Sequence, residues 1–257
     1  DSLDPENLFL INGITGGVQL LLETFYFPDD VILVEESTYF LMIDIFKNFG
    51  LNVERIKLLD DGIDMEELVS KLSDLSEKQT KVFLYMIPFY HNPTGYCISK
   101  EKIDEFKDIF NYYGNLYIIS DEVYYFLNWE DNNILPLSLY HNNFISLGSF
   151  SKIIGPSLRL GYIYSTDDEI IEELETNTTL TSSGGNTNPT VMLTNHLFEV
   201  DLVSDHLEKI KYELYDKKKC MVCCLEKAKD KLKDFNFDMI FNNPNGGYFI
   251  WVTIVNN

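Results

Sequence analysis

Basic residues and cysteines are scarce in this chain, and long apolar runs are absent. Lysine and arginine together number 20 against 41 aspartates and glutamates, which gives a formal net charge of −21, and the two arginines are Arg55 and Arg159. A chain this acidic is poorly suited to bind nucleic acid or an anionic membrane surface, because both are negatively charged. No apolar run is long enough to span a bilayer. We therefore expect no nucleic-acid partner and no membrane partner.

The four cysteines predict reduced thiols rather than a metal centre. Cys220, Cys223 and Cys224 lie three and four positions apart in a long helical stretch, where such positions share one face. A four-ligand zinc site needs a second pair of cysteine or histidine ligands at suitable spacing, and none follows in the sequence. We expect buried thiols, no metal, and an intracellular protein located in the cytoplasm.

The first 164 residues alternate short, nearly continuous apolar runs with segments of helical periodicity. Such runs are typical of strands covered on both faces, so the pattern predicts an α/β fold with a seven-stranded, mostly parallel sheet flanked by helices. The predicted strands are Leu8–Ile11, Val31–Glu35, Asn52–Ile56, Val82–Ile87, Leu116–Ser120, Phe144–Leu147 and Leu160–Tyr164. The predicted helices between them are Gly17–Phe25, Thr38–Phe49, Met65–Leu75 and Lys100–Tyr113.

The remainder of the chain has a different pattern. Helices are predicted at Asp167–Glu175, Pro189–Phe198 and Asp205–Lys233, and the runs Met239–Ile240 and Tyr248–Val252 indicate the start of a second, smaller sheet. We predict a large domain over residues 1–200, followed over residues 201–257 by a long linking helix and an incomplete small C-terminal α/β domain. Both ends of the chain are expected to be cuts through a larger protein.

In a sheet of this kind ligands bind at the carboxyl ends of the strands, so the loops there are the places to search for chemistry. Lys152 lies in a hydroxyl-rich loop after the strand Phe144–Leu147, and a partly desolvated lysine is a nucleophile for carbonyl compounds. Ser149, Ser151 and Arg159 are hydrogen-bond donors suited to one phosphate. The alternative is a surface lysine in a polar turn. The scarcity of arginine weakens this alternative. One of the chain's two arginines, Arg159, stands close to Lys152 between apolar neighbours, where a charge without a partner is costly to bury.

Three further strand ends carry polar or small residues. The loop Asn12–Gly17 opens a helix and offers backbone N–H groups to a phosphate, although many α/β turns also carry glycine. Asp121 ends a strand, where an acid is either a ligand group or a helix cap. Asn92-Pro93-Thr94-Gly95 is a turn signal that needs no function by itself.

In their order along the chain, these segments resemble the class I/II aminotransferases, which are fold-type-I enzymes that depend on pyridoxal 5′-phosphate (PLP). The resemblance extends over nearly the whole chain. Ser182-Ser183-Gly184-Gly185-Asn186 is similar to a stretch in the branch with aminoadipate-type and aromatic-type aminotransferases. The other segments that carry the resemblance are Glu35-Glu36-Ser37-Thr38-Tyr39-Phe40, Asn92-Pro93-Thr94-Gly95, Asp121-Glu122-Val123-Tyr124, Ser149-Phe150-Ser151-Lys152, Arg159-Leu160-Gly161 and Asn243-Pro244-Asn245-Gly246-Gly247-Tyr248-Phe249-Ile250-Trp251.

The resemblance implies a role for each candidate residue. Lys152 would form a Schiff base with PLP and move the substrate proton, and Asp121 would pair with the protonated pyridine nitrogen. Asn92 and Tyr124 would hydrogen-bond the phenolic oxygen of the ring, and Tyr39 would stack on its face. The catalytic residues implied are therefore Lys152, Asp121 and Tyr124. The phosphate would be held by Gly13, Ile14, Thr15, Ser149, Ser151 and Arg159.

The function implied is an aminotransferase that works as a homodimer and moves an amino group from an amino acid to a 2-oxo acid. Two alternatives stay open. A PLP-dependent lyase or decarboxylase uses the same fold, because the fold alone does not set the reaction. A truncated fragment that binds PLP without turnover is the other.

Two departures from the family pattern affect the expected site. Gly13-Ile14-Thr15 stands where many relatives have Gly-Ser-Gln, which reduces the side-chain contribution to phosphate binding. The arginine that binds the substrate carboxylate in the family is expected beyond the end of this chain, and Arg55 matches no such motif. We therefore expect a nearly complete cofactor site and an incomplete substrate site.

Overall fold

The computed structural model describes residues 3–129, 134–182 and 186–256. Helices alternate with strands through the first two thirds of the chain, as predicted. The helices are α1 (Gly13–Phe25), α2 (Phe40–Asn48), α3 (Met65–Lys78), α4 (Lys100–Tyr112), α5 (Asp168–Thr176), α6 (Thr178–Thr181), α7 (Asn188–Glu199) and α8 (Leu202–Lys233). The strands are β1 (Leu8–Ile11), β2 (Val31–Glu35), β3 (Asn52–Ile56), β4 (Leu58–Leu59), β5 (Gly62–Ile63), β6 (Val82–Met86), β7 (Leu116–Asp121), β8 (Phe144–Ser149), β9 (Gly161–Tyr164), β10 (Phe237–Phe241) and β11 (Val252–Asn256).

In the described part of the chain, seven strands form one sheet in the order β1-β9-β8-β7-β6-β2-β3. β3, β2, β6, β7 and β8 pair in parallel, and β9 lies antiparallel between β8 and β1. The predicted α/β fold with a seven-stranded, mostly parallel sheet is therefore confirmed. Since β1 and β8 both run opposite to β9, the carboxyl ends of β1, β2, β6, β7 and β8 lie at one edge of the sheet.

The centre of the sheet is the core of the molecule. All residues of β6, β7 and β8 are buried, which explains why their sequences are apolar without alternation. Phe106 of α4 packs against Phe144 of β8 with the ring centroids 5.6 Å apart. Asp64 and Ser99 cap α3 and α4 by accepting hydrogen bonds from backbone N–H groups in the first turn of each helix. The contact between Phe106 and Phe144 packs α4 against the sheet.

The start of α1 differs from the prediction. The sequence predicts a loop over Asn12–Gly17 and a helix from Gly17, whereas the helix begins at Gly13. Gly13 has a φ of 71°, a left-handed conformation that glycine adopts without a steric cost, so the chain turns into the helix directly after Asn12. The backbone N–H groups of Ile14 and Thr15 therefore belong to the first turn of a helix.

The second small sheet is present, but one of its strands is displaced from the prediction. β10 pairs antiparallel with β11, which begins at Val252. The run Tyr248–Ile250 is therefore not a strand in this sheet. A Cβ on Gly247 would lie 2.5 Å from the Cβ of Tyr90, so this segment packs closely onto the large sheet's loops instead. The division into domains at residues 200 and 201 stays a prediction.

Three of the four cysteines contradict the prediction of buried thiols. Cys220, Cys223 and Cys224 are exposed, and Cys97 is half-buried. Cys220, Cys223 and Cys224 lie outside the apolar stripe through which α8 contacts the rest of the protein. No group of three or more histidine, cysteine or acidic residues among the described residues could hold a metal ion. The stripe is formed by Val203, Leu207, Ile210 and Leu214.

None of the helices in the described part of the chain combines sufficient length with sufficient apolar character to cross a bilayer.

Candidate active site

A cavity of about 180 Å³ lies at the carboxyl edge of the sheet. The ends of β7 and β8, the first turn of α1 and the loops after β2 and β6 form its wall. It brings together every predicted site residue except Gly13, which lies beside it against Arg159. The residues that line the cavity are Ile14, Thr15, Tyr39, Met42, Ile87, Asn92, Asp121, Val123, Tyr124, Ser149, Ser151, Lys152, Pro156 and Arg159.

Lys152 is held by a short turn that follows β8. The Ser149 hydroxyl oxygen accepts a hydrogen bond from the backbone N–H of Ser151 at 3.2 Å, which caps the 3₁₀ turn Phe150–Lys152. On its other side, the Tyr248 hydroxyl donates to the carbonyl oxygen of Lys152 at 3.2 Å. The Lys152 side chain is exposed, and its Nζ lies 6.0 Å from the centroid of the Tyr124 ring. The backbone is therefore fixed while the amine is accessible to a ligand.

Asp121 is a buried carboxylate at the end of β7, with 4% of its surface exposed. Its Oδ2 accepts a hydrogen bond from the Tyr85 hydroxyl at 2.7 Å, and its Oδ1 accepts one from the backbone N–H of Val123 at 3.2 Å. Burial raises the pKa of Asp121 to about 6, although both hydrogen bonds oppose this shift. A cation placed against this carboxylate would hold it in the ionised form.

Asn92 and Tyr124 face each other between Asp121 and the outside of the cavity. The Asn92 side-chain amide donates to the Tyr124 hydroxyl oxygen at 3.4 Å. Burial raises the pKa of Tyr124 above its ordinary value, and the negative charge of Asp121 adds to the shift. Tyr124 therefore stays a protonated phenol that can donate a hydrogen bond. Tyr39, half-buried at the start of α2, adds an aromatic ring to the same wall.

The opposite end of the cavity is formed by the backbone N–H groups in the first turn of α1, which begins at Gly13, and by the guanidinium of Arg159. We call this group the Gly13 cradle. Arg159 is exposed and donates from Nη2 to the carbonyl oxygen of Asn12 at 3.0 Å. Although Arg159 stands between apolar neighbours in the sequence, its side chain is exposed and its backbone is left-handed. A Cβ on Gly13 would lie 2.7 Å from Arg159 Nη2, so only glycine leaves this space open.

Two tyrosines that the sequence pattern does not mark as functional contact the candidate site residues. Tyr85 lies within the apolar run of β6 and reads as a core residue, so nothing in the sequence indicates its hydrogen bond to Asp121. Tyr248 lies in the Gly246-Gly247-Tyr248-Phe249 segment, where the paired glycines were the available signal. Its ring packs edge-on against Tyr124 with centroids 5.9 Å apart, so it supports the Tyr124 ring from the C-terminal segment.

Glu122 is a second buried acid beside the site, but it faces away from the cavity. Its Oε1 accepts hydrogen bonds from the hydroxyls of Ser120 and Ser146 and from the backbone N–H of Leu137. Burial raises the pKa of Glu122 to about 7, and the three hydrogen bonds oppose the shift. Because Glu122 anchors the segment after β7 to β8, its role is structural.

We expect Glu122→Gln to remove part of the pH dependence of stability. The folded pKa of about 7 lies above the ordinary value of 4.5, so the stabilisation from this carboxyl is complete below pH 4.5 and is lost as the pH rises through about 7. Over this range the contribution of Glu122 to the free energy of unfolding falls by roughly 3 kcal/mol. Urea unfolding of the cofactor-free protein across this range measures it. The exposed-site control Glu77→Gln should behave like wild type, and an unchanged pH dependence in Glu122→Gln would contradict the assignment.

The residues present fit PLP. The buried Asp121 carboxylate suits a ring nitrogen that carries a proton, and the exposed Lys152 amine suits an aldehyde. The space above Gly13, which a Cβ would fill, suits a phosphate at the N-terminus of α1. Of the segments named in the sequence analysis, Ser183–Gly185 lies outside the described residues.

Comparison with known proteins gives the family. The sequence model of the family "Aminotransferase class I and II" matches residues 2–257. The chain is 26% identical over 252 residues to Aromatic-amino-acid aminotransferase 1 of Thermococcus litoralis, covering 96% of this chain and 58% of that protein. It is 24% identical over 257 residues to a Bacillus subtilis protein named "Uncharacterized HTH-type transcriptional regulator YisV", covering 99% of this chain and 50% of that protein.

Solved structures agree in fold. The crystal structure of an archaeal alanine:glyoxylate aminotransferase superposes with a TM-score of 0.83 at 25% identity, covering 95% of this chain and 59% of that one. The chain thus spans between half and three fifths of the length of these relatives. Since the family match extends over nearly all of its residues, the chain belongs to the class I and II aminotransferase family.

Proposed function

We propose that this chain is the cofactor-binding part of a PLP-dependent aminotransferase, which moves an amino group from an amino acid to a 2-oxo acid. The observation that carries the proposal is the cavity in which the Lys152 amine, the buried Asp121 carboxylate and the Gly13 cradle meet. Membership in the aminotransferase family supports the reaction type.

Bound PLP would supply an aldehyde that reacts with amines and a ring that accepts the electrons released when the Cα–H bond of a substrate breaks. The Lys152 amine would hold the cofactor covalently and, when released, would take the Cα proton and return it. Asp121 would accept a charge-assisted hydrogen bond from the protonated ring nitrogen. Asn92 and Tyr124 would donate hydrogen bonds to the phenolic oxygen, and Tyr39 would cover one face of the ring.

The phosphate would lie at the N-terminus of α1. The backbone N–H groups of the first helical turn have no partner within a helix and carry the positive end of its dipole. Arg159 adds a full positive charge and two parallel donors. The hydroxyls of Ser149 and Ser151 complete the set of donors, 3.0 Å from each other.

We expect Gly13→Ala to weaken PLP binding by about tenfold or more, because the new Cβ would meet the Arg159 guanidinium and the left-handed backbone is strained for alanine. Fluorescence titration with PLP measures the change. Gly114→Ala, at a glycine without a left-handed φ where a Cβ would come no closer than 3.9 Å to the Phe110 carbonyl oxygen, is the control and should bind PLP like wild type. Equal affinities in the two variants would show that Gly13 is not part of the phosphate cradle.

We also propose that two copies of the chain assemble as a homodimer. A second cavity of about 310 Å³ opens beside the phosphate end and is lined by Asn12, Thr15, Gln19, Arg159 and others. A group from a partner subunit could reach the phosphate through it. Sedimentation equilibrium with and without PLP tests the assembly, and a monomer under both conditions would contradict it.

The test of the proposed reaction is a donor screen on the PLP-loaded chain. An aminotransferase yields one 2-oxo acid per bound cofactor together with pyridoxamine phosphate, and both are measured by chromatography. A lyase or decarboxylase instead releases ammonia or carbon dioxide and leaves PLP unchanged. If PLP binds but no donor gives either product, the chain is a binding fragment without turnover.

A second candidate is a regulatory domain that binds PLP and an amine without releasing a 2-oxo acid. It is favoured by the similarity to a transcriptional regulator over 99% of this chain. The same donor screen separates the two candidates. A regulatory domain would show a spectral change on amine addition that reverses when the amine is removed, with no pyridoxamine phosphate formed.

A further inference from the structure

A buried acid and a buried imidazole lie next to the turn that carries Asn92. Glu35, at the carboxyl end of β2, and His91, in the loop after β6, are both completely buried. Their facing atoms, Glu35 Oε2 and His91 Nε2, are 2.9 Å apart. Neither residue lines the cavity, and the cofactor chemistry proposed above uses neither of them.

Glu35 is fully engaged in hydrogen bonds. Its Oε2 accepts from the backbone N–H of Ile87 at 2.9 Å as well as from His91. Its Oε1 accepts a hydrogen bond from the Tyr96 hydroxyl. Glu35, the last residue of β2, therefore accepts hydrogen bonds from the residue after β6 and from both ends of the loop between His91 and Tyr96.

His91 extends this chain of contacts into the Asn92-Pro93-Thr94-Gly95 turn. The Thr94 hydroxyl lies 2.8 Å from His91 Nδ1, and the backbone N–H of Thr94 donates to the same nitrogen at 3.3 Å. These contacts are satisfied together when Nδ1 accepts and Nε2 carries the proton that it donates to Glu35. The imidazole of His91, the residue before Asn92, thus contacts Glu35 on β2 through one nitrogen and Thr94 through the other.

The backbone of the turn closes around the same residue. The backbone N–H of Gly95 donates to the His91 carbonyl oxygen at 2.6 Å, and the N–H of His91 donates to the carbonyl oxygen of Tyr96 at 2.9 Å. Burial of an acid and an imidazole is weak support for stability, because well-packed apolar side chains of similar volume often stabilise a core equally well. A geometric role accounts better for this pair.

We propose that Glu35 and His91 are positioning residues, which act through Thr94 to hold the Asn92 amide against Tyr124 and toward the cavity. The proposal rests on the proposed function for the use that Asn92 makes of this position. The arrangement itself belongs to the cofactor-free protein, so it can be tested without PLP.

The first experiment measures hydrogen–deuterium exchange of the peptide spanning residues 89–97 in the cofactor-free chain. Thr94→Val removes the hydroxyl while keeping the shape, and His91→Leu removes both nitrogens. Each is expected to speed exchange in this peptide by about tenfold, because a buried donor or acceptor loses its partner. Thr94→Ser keeps the hydroxyl and serves as the matched control, with wild-type exchange expected.

The second experiment follows the pH midpoint of the visible absorbance of the PLP-loaded protein. Misplacement of the Asn92 amide should move this midpoint by roughly half a unit or more in Thr94→Val and His91→Leu, but not in Thr94→Ser. A purely structural pair would lower the melting temperature in His91→Leu while leaving exchange in Thr94→Val and the midpoint at wild-type values, and that result would overturn the proposal. If wild type takes up no PLP, the proposed function fails, whereas the exchange experiment still decides the positioning role.

Discussion

Lys152→Ala protein that is incubated with PLP and reduced with borohydride is expected to carry no covalent label, whereas wild type is labelled on the peptide that contains Lys152. Reduction traps only a cofactor that is bonded to an amine, and Lys152 supplies the amine in the cavity beside the Gly13 cradle and Asp121. We expect at least a roughly hundredfold drop in trapped label, measured by mass spectrometry of the digested protein. The fold should survive, because the Lys152 side chain is exposed.

Two control variants make this result specific. Lys152→Arg keeps the positive charge but replaces the amine with a guanidinium that stays protonated, so it should retain PLP non-covalently and show no trapped label. Lys100→Ala, at the exposed start of α4, should be labelled like wild type. Label that persists on another lysine in Lys152→Ala would refute the assignment of Lys152.

The sequence predicts the sheet well because its central strands are buried on both faces. The apolar runs of β2, β6, β7 and β8 have little alternative to a covered sheet, and their bounds differ from the prediction by two residues at most. The positions after these strands then follow, because parallel strands end at one edge. The pattern places Asn92, Asp121, Ser149 and Lys152 at or after strand ends, whereas the role of each in one site is predicted only by the resemblance to the aminotransferase family.

The features that could not be predicted depend on side-chain contacts between distant segments. Tyr85 lies near the end of an apolar strand, and nothing local distinguishes it from a core residue that carries no function. The Glu35–His91 pair joins residues 56 positions apart. The exposure of Cys220 also depends on which face α8 presents to the rest of the protein, and the sequence of that helix has apolar residues on several faces.

Asp121→Asn is expected to change activity and stability in opposite directions. In the PLP-loaded protein, removing one partner of a buried charge pair costs about 3–5 kcal/mol, which corresponds to a loss of roughly two to four orders of magnitude in the rate of Cα–H exchange. In the cofactor-free protein the same change removes a buried charge that forms no ion pair among the described residues and that Lys152 compensates only weakly. There we expect a gain of about 1–3 kcal/mol in the free energy of unfolding near neutral pH.

The sign of the stability change follows from the pKa. The folded pKa of Asp121, about 6, lies above the ordinary value of 3.8, so its carboxyl contributes most stability when protonated, below pH 3.8, and that stability is lost as the pH rises through about 6. Asparagine resembles the protonated form at every pH. The gain in the free energy of unfolding in Asp121→Asn should therefore be largest above about pH 7 and should vanish near about pH 4.

Urea unfolding at these two pH values measures the stability of the cofactor-free variant. NMR detection of deuterium entering the Cα position of an amino-acid donor measures the exchange rate of the same variant with PLP bound. A residue that only supports the fold would lower stability and activity together. A residue that serves a bound cation gives opposite signs, because the charge that destabilises the empty site is the one that the cofactor needs. Loss of stability at neutral pH in Asp121→Asn, or an undiminished exchange rate with PLP bound, would show that Asp121 is not the partner of the ring nitrogen.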